Sequence, residues 1–169
     1  MNGFGNEDLV GFSRGESQRR VPAAREDWTL VSIASSRRGL SPAQLQKSLY
    51  LLGQAFPTEL GPDFYKFRSI NAGHFSQQIY TDAEALAKQG LVLIEVSEKD
   101  GWQHYSATTA GIIKARVLET RLSSLVLQRL RRVVDWARNR SIDQLGRGHL
   151  DSPGSLGWPP PDSRPVRQR

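Results

Sequence analysis

Ser76, Gln77, Gln78 and Thr81 fall within six residues at the start of a helical pattern, and all four side chains are able to form hydrogen bonds. Glutamine can bond adenine at two atoms of its major-groove edge, and hydroxyl side chains bond most base edges. Polar residues on the first turns of a helix therefore suit base recognition. They equally suit the wet side of an ordinary amphipathic helix. Asp82 and Glu84 on the same segment weigh against base contact, because carboxylates repel phosphate. The cations best placed in sequence to meet phosphate are Lys66, Arg68, Lys99, Arg131 and Arg132.

Catalytic chemistry has little to build on. The chain has three histidines, His74, His104 and His149, and no two have metal-ligand spacing on one element. It has no cysteine, which removes disulfides, thiolate metal sites and cysteine nucleophiles together. No Gly-rich phosphate loop, nucleophile elbow or zincin pattern occurs, and periodicity pairs no two carboxylates. The expectation is a protein that is not an enzyme and has no catalytic residue, metal or cofactor.

The elements that must carry the polar cluster follow from apolar spacing. Order is expected to begin near Asp27 and Trp28. Trp28, Leu30, Val31, Ile33 and Ala34 mark a short helix stopped by Gly39, with Arg37 and Arg38 in its last turn. Ser41 and Pro42 are a favoured cap and first position for a second helix, whose stripe is Leu45, Leu49, Leu52 and Phe56. The aromatic stretch from Phe64 to Arg68 reads as either an extended arm or a small strand, and Asn71-Ala-Gly as a turn. Residues 75–89 form the next helix, with Ile79, Ala83 and Leu86 inward and Gly90 as its stop. Residues 91–96 read as a buried strand and residues 102–107 as its hairpin partner, with Trp102 able to anchor the hairpin. Thr108 and Thr109 then cap helical sequence that runs on to Ala137, as one long helix or two joined near residues 119–123.

Length and charge bound the rest. The 169 residues suit one core of ordinary size. No apolar run approaches the roughly 20 residues of a membrane helix. The net charge of +6 is unevenly spread: residues 114–140 carry eight basic side chains against two acidic, while residues 26–113 carry seven against nine. The basic excess thus lies on the C-terminal helical segment and not around the polar cluster. That segment could lie along phosphates, pair with a second copy, or show solvent the wet side of an amphipathic helix.

Three stretches carry a resemblance: Leu45-Gln-Lys-Ser-Leu-Tyr-Leu-Leu, the run from Tyr65 through Phe75-Ser-Gln-Gln-Ile-Tyr-Thr-Asp to Gly90-Leu-Val, and Tyr105-Ser-Ala-Thr-Thr-Ala-Gly. Over roughly residues 28–145 the chain resembles bacterial hypothetical winged-helix proteins akin to the Panacea antitoxin domain. Their usual pattern has Gly-Pro where this chain has Gly73-His74, which loosens a rigid turn. After Leu145 the family's aromatic end is replaced here by Gly146-Arg-Gly-His and a proline-rich tail.

The combined expectation is a mainly α fold with a small β-hairpin (α+β), a winged helix-turn-helix forming a single domain with a long C-terminal helical segment. Residues 1–25 would be a flexible leader, 26–145 the domain, and 146–169 a disordered Pro/Gly/Arg tail. The expected function is a cytoplasmic DNA-binding transcriptional regulator, dimeric through the helices of residues 112–140. The alternative is an antitoxin or adaptor that grips a partner protein, using Tyr65, Phe67 and Tyr80 as exposed aromatics.

Overall fold

The computed structural model describes residues 24–70, 73–98, 101–141 and 144–145. Residues 1–23 of the expected leader, the tail, Asn71 and Lys99 lie outside the described residues, and Arg25, placed in that leader, belongs to the first helix. The described chain is α+β, with five helices and two antiparallel hairpins: α1 (Arg25–Ser35), α2 (Pro42–Ala55), β1 (Arg68–Ile70), β2 (Gly73–Phe75), α3 (Gln77–Lys88), β3 (Val92–Val96), β4 (Gln103–Ala107), α4 (Thr109–Glu119) and α5 (Ser124–Arg138).

α1 begins at Arg25, two residues before the expected start, with acidic Glu26 and Asp27 in its first turn. It ends at Ser35, so Arg37 and Arg38 lie in a following turn and not in the last helical turn. Ser36 turns the chain out by extending its own backbone while its hydroxyl donates to the Gly39 carbonyl at 2.7 Å. Gly39 has φ +75, and a Cβ there would come within 2.8 Å of the Tyr105 carbonyl oxygen. That close approach lets Leu40 exchange both backbone hydrogen bonds with Tyr105, at 2.9 and 2.8 Å, so one residue joins the edge of the β3–β4 hairpin.

α2 opens on a reciprocal cap. The Ser41 hydroxyl accepts from the Gln44 N–H at 3.3 Å, and the Gln44 side chain accepts from the Ser41 N–H at 2.9 Å. The Gln44 amide also donates to the carbonyls of Arg138 and Arg140, tying the end of α5 to the start of α2. Leu45, Leu49 and Leu52 are fully buried, as their four-and-three spacing requires. Around them gather Leu30, Val31 and Ile33 of α1, Ile79, Ala83 and Leu86 of α3, and Leu130 and Val134 of α5. α1 is the hub of the packing, in contact with α2, α3, α4, α5 and β4.

α3 ends at a glycine with φ +72, as its sequence implies. The Gly90 N–H donates to Ala87 and the Leu91 N–H to Leu86, the paired bonds of a Schellman stop. β3 then pairs with β4 from Val92 opposite Ala107 to Val96 opposite Gln103. The strand expected to be buried is buried only at Val92, because one face of the hairpin meets the body and the other meets solvent. Trp102 is correspondingly exposed and does not anchor the hairpin. Residues 120–123 divide the C-terminal helical sequence into α4 and α5.

Two of the four tyrosines sit deep in this core, and burial raises both hydroxyls above their ordinary value of 10.0. Tyr65 rises far above the tyrosine range, and Tyr105 is pushed up to about 12, with Tyr80 and Glu84 of α3 adding to the effect. The unfolded chain releases these protons near pH 10 while the folded chain keeps them, so stability falls as pH rises from about 10 through 12. Tyrosinate absorbance should show Tyr65 and Tyr105 ionising only together with loss of the helical signal. Ionisation of all tyrosines before that loss would contradict their burial.

Candidate nucleic-acid interface

The polar cluster sits where a clamp fixes the entry to α3. Gln46 of α2 accepts from the Ser76 N–H at 3.0 Å and donates to the Ser76 carbonyl at 2.8 Å. This two-point grip imitates a strand pairing and sets the angle between α2 and α3. It also corrects one assignment. Ser76 is the N-cap residue of α3 and only 4% exposed, so its side chain does not face a ligand. Phe75 likewise belongs to β2, opposite Arg68 in β1, and not to the helix.

Gln77, Gln78 and Thr81 are exposed, and Glu84 and Lys88 continue that stripe at spacings of three and four. Asp82 is turned the other way. Its carboxylate takes Arg25 in a bidentate pair, with Nε to Oδ2 at 2.8 Å and the second nitrogen to Oδ1 at 3.0 Å. The Tyr65 hydroxyl is 2.7 Å from the same Oδ2. One phenolic proton can be donated once, and the carboxylate is its strongest acceptor, so the Thr29 hydroxyl at 2.6 Å donates to Tyr65. A backbone carbonyl, that of Arg25, lies 3.1 Å from the same phenol. The repulsion expected from Asp82 therefore does not act at the exposed face, where Glu84 is the remaining acid of α3.

The cations on this side come from the β1–β2 hairpin and the segment that leads into it. Lys66 and Arg68 are exposed, and the Arg68 guanidinium lies 5.4 Å from the centre of the Phe75 ring. Phe75 in turn packs on Tyr80 of α3 at 5.6 Å. An arginine held by a cation–π contact keeps its charge directed while losing less freedom on binding. The pairing of Arg68 with Phe75 sets it two residues from Gln77 along the chain from its partner, so β1–β2 flanks the helix start. His74 stacks on Tyr50 of α2 at 3.8 Å, which holds the hairpin down where the sequence suggested a loosened turn.

Arg131 and Arg132 belong to a different region. Both are exposed on α5, which packs on α2 and α1. Arg131 is paired with Glu119 at 2.9 Å and lines a cleft with Arg37 and Ser36, beyond the C-terminal end of α1. Asp82 meets α1 at its N-terminal end, and a helix of 11 residues separates those ends by about 16 Å. The structure thus sets Arg68 beside exposed Gln77, Gln78 and Thr81, leaves Lys66 exposed on the segment before β1, and sets Arg131 and Arg132 apart. The exposed aromatics of the alternative reading do not hold either: Tyr65 is 5% exposed, and Phe67 and Tyr80 are partly buried.

Sequence reasoning missed Gln46, Arg25 and the inward role of Asp82. The signal for Gln46 was a long polar side chain flanking the Leu45–Leu49 stripe. The pairing of Arg25 with Asp82 spans 57 positions and leaves no local trace. Among the described residues, no three His, Cys, Asp or Glu side chains gather as a metal site requires. No helix among them is long and apolar enough to cross a membrane. No protein-family model and no curated protein sequence matches the chain.

Proposed function

We propose that this chain is a winged helix-turn-helix regulator of transcription that binds duplex DNA through the first turns of α3. The observation that carries the reading is the joint placement of exposed Gln77, Gln78 and Thr81 beside the Arg68 arm, on a helix entry clamped by Gln46. The order of elements supports it: α1, a one-residue bridge, α2, α3 and the β3–β4 hairpin follow one another as in a winged helix, with the β1–β2 hairpin set between α2 and α3 and with α4 and α5 following. In this reading α3 enters the major groove. Gln77, Gln78 and Thr81 meet base edges, and Lys66 and Arg68 meet phosphate. The protein acts in the cytoplasm as a dimer, without catalysis or cofactor.

The expected binding is sensitive to salt, and its slope reports the phosphate contacts. Lys66→Ala and Arg68→Ala should each lower the slope of log affinity against log salt by about 1, on every sequence alike. Gln77→Ala or Gln78→Ala should relax preference among sites by about 1–3 kcal/mol and leave the slope unchanged. Arg132→Ala should do neither. Fluorescence anisotropy on a library of genomic duplexes measures all of these. Absence of salt-sensitive binding to any duplex would remove the proposal.

The second reading, an interaction module of the antitoxin or adaptor kind, draws on a different surface. Leu93, Val96 and Trp102 are exposed on the β3–β4 hairpin, where an acidic tip suits protein contact better than phosphate.

A further inference from the structure

Alternation along β3 and β4 puts Leu93 and Glu95 on one face with Trp102, His104 and Ser106. The opposite face, with Val92 and Tyr105, packs on the core beside α3. The outer face is apolar at its surface, since Leu93 is 50% and Trp102 54% exposed. Its acid is Glu95, opposite His104 in the ladder. Ser106 belongs to this face and also to the wall of a cleft of about 480 Å³ between the end of α1, β4, α4 and α5. The cleft is lined by Ala107, Ile112 and Ala115 together with the basic side chains Arg37, Arg116 and Arg131. Its acid, Glu119, already holds Arg131. One continuous surface therefore has a half that carries Glu95 with exposed Leu93 and Trp102, and a recessed half rimmed by arginines.

A two-fold axis turns such a surface onto itself so that each half meets its opposite twice. We infer that a second copy of this chain docks here, the outer face of each β3–β4 hairpin resting in the α1–α4 cleft of the other copy. Trp102 is the anchor, an amphipathic side chain of the type that dominates interface energetics when it fills a pocket. Glu95 faces the Arg37–Arg116 rim of the partner, and complementary charge fixes the register. Pairing through the exposed side of α4 is the weaker solution. Ile113 and Val117 are exposed there, but Lys114 and Arg116 flank them, and a two-fold contact would set these cations against their own copies. The arrangement leaves α3 uncovered, because α3 lies against the hairpin's other face. It therefore stands or falls independently of DNA binding.

Sedimentation velocity of the full chain over a concentration series tests the inference, with circular dichroism confirming that each variant is folded. Wild type should dimerise, more weakly at high salt. Glu95→Arg and Arg116→Glu should each raise the dimer dissociation constant about tenfold, and the double variant should recover to within a few-fold of wild type. Trp102→Ala should raise it about thirtyfold. Ile113→Asp should leave it unchanged. A monomer at every concentration overturns the proposal. So does a dimer that Ile113→Asp abolishes while the charge variants and Trp102→Ala leave it intact, and so does a double variant no better than the singles.

Discussion

Replacing Gly111 by alanine should destabilise the protein by at least about 2 kcal/mol, although alanine is the better helix former. Gly111 lies in the first turn of α4, and a Cβ on it would sit 2.0 Å from the Leu91 carbonyl oxygen. That oxygen is backbone and already accepts from the Thr108 N–H at 3.0 Å. The Thr108 hydroxyl donates to the Gly90 carbonyl at 2.7 Å and accepts from the Gly111 N–H at 3.0 Å. Relieving the clash means lifting α4 off the chain that leaves α3, which breaks these bonds together. The clash and lost bonds cost about 3 kcal/mol or more, and helix propensity returns only about 1. Gly90→Ala is the natural comparison, because its Cβ meets nothing within 4 Å and only its φ of +72 is strained. It should cost about 1–2 kcal/mol. Urea unfolding midpoints of the two variants measure the difference, and a Gly111→Ala protein as stable as wild type would contradict the close approach.

Asp82→Asn should cost about 2–3 kcal/mol and loosen α3 selectively. The side chain is 7% exposed and accepts three hydrogen bonds, two from Arg25 and one from Tyr65. Asparagine keeps the shape but loses the charge, and it must point an N–H₂ group at a guanidinium or a phenol. The Arg25 side chain is 36% exposed, so it can turn to solvent, which keeps the cost below that of a fully enclosed pair. Tyr65→Phe should cost less, because the Arg25 pair survives it. Denaturant unfolding gives the size, and amide exchange across α3 gives the location. Unchanged exchange in α3 would mean that the network does not hold that helix against α1.

These two sites show what the sequence made legible and what it concealed. Stops and caps act within a few residues, so Gly90, Ser41 with Pro42, and Thr108 could all be read from local spacing, and the apolar stripe of α2 was buried as its period required. The role of Gly111 was half visible. Thr108 and Thr109 marked a helix start just before it, but the reason for glycine is the Leu91 carbonyl, 20 positions earlier in the chain. Asp82 was misread for the same physical cause: its sign was apparent, and its direction was set by Arg25 and Tyr65 from other elements. Among the site residues, Gln77, Gln78 and Thr81 were legible because exposure follows helical period. Ser76 was not, because a tertiary clamp from Gln46 ends the hairpin and starts the helix at Gln77, two residues later than expected.

Under the proposed function, duplex DNA lies on one surface built from the start of α3 and the β1–β2 arm. Backbone amide mapping by NMR, during titration with a duplex the protein binds, checks this. Perturbed amides are expected to cluster at Lys66, Arg68, Gln77, Gln78 and Thr81 while those of Arg131 and Arg132 stay in place. Perturbations centred on α5, with the start of α3 silent, would contradict it.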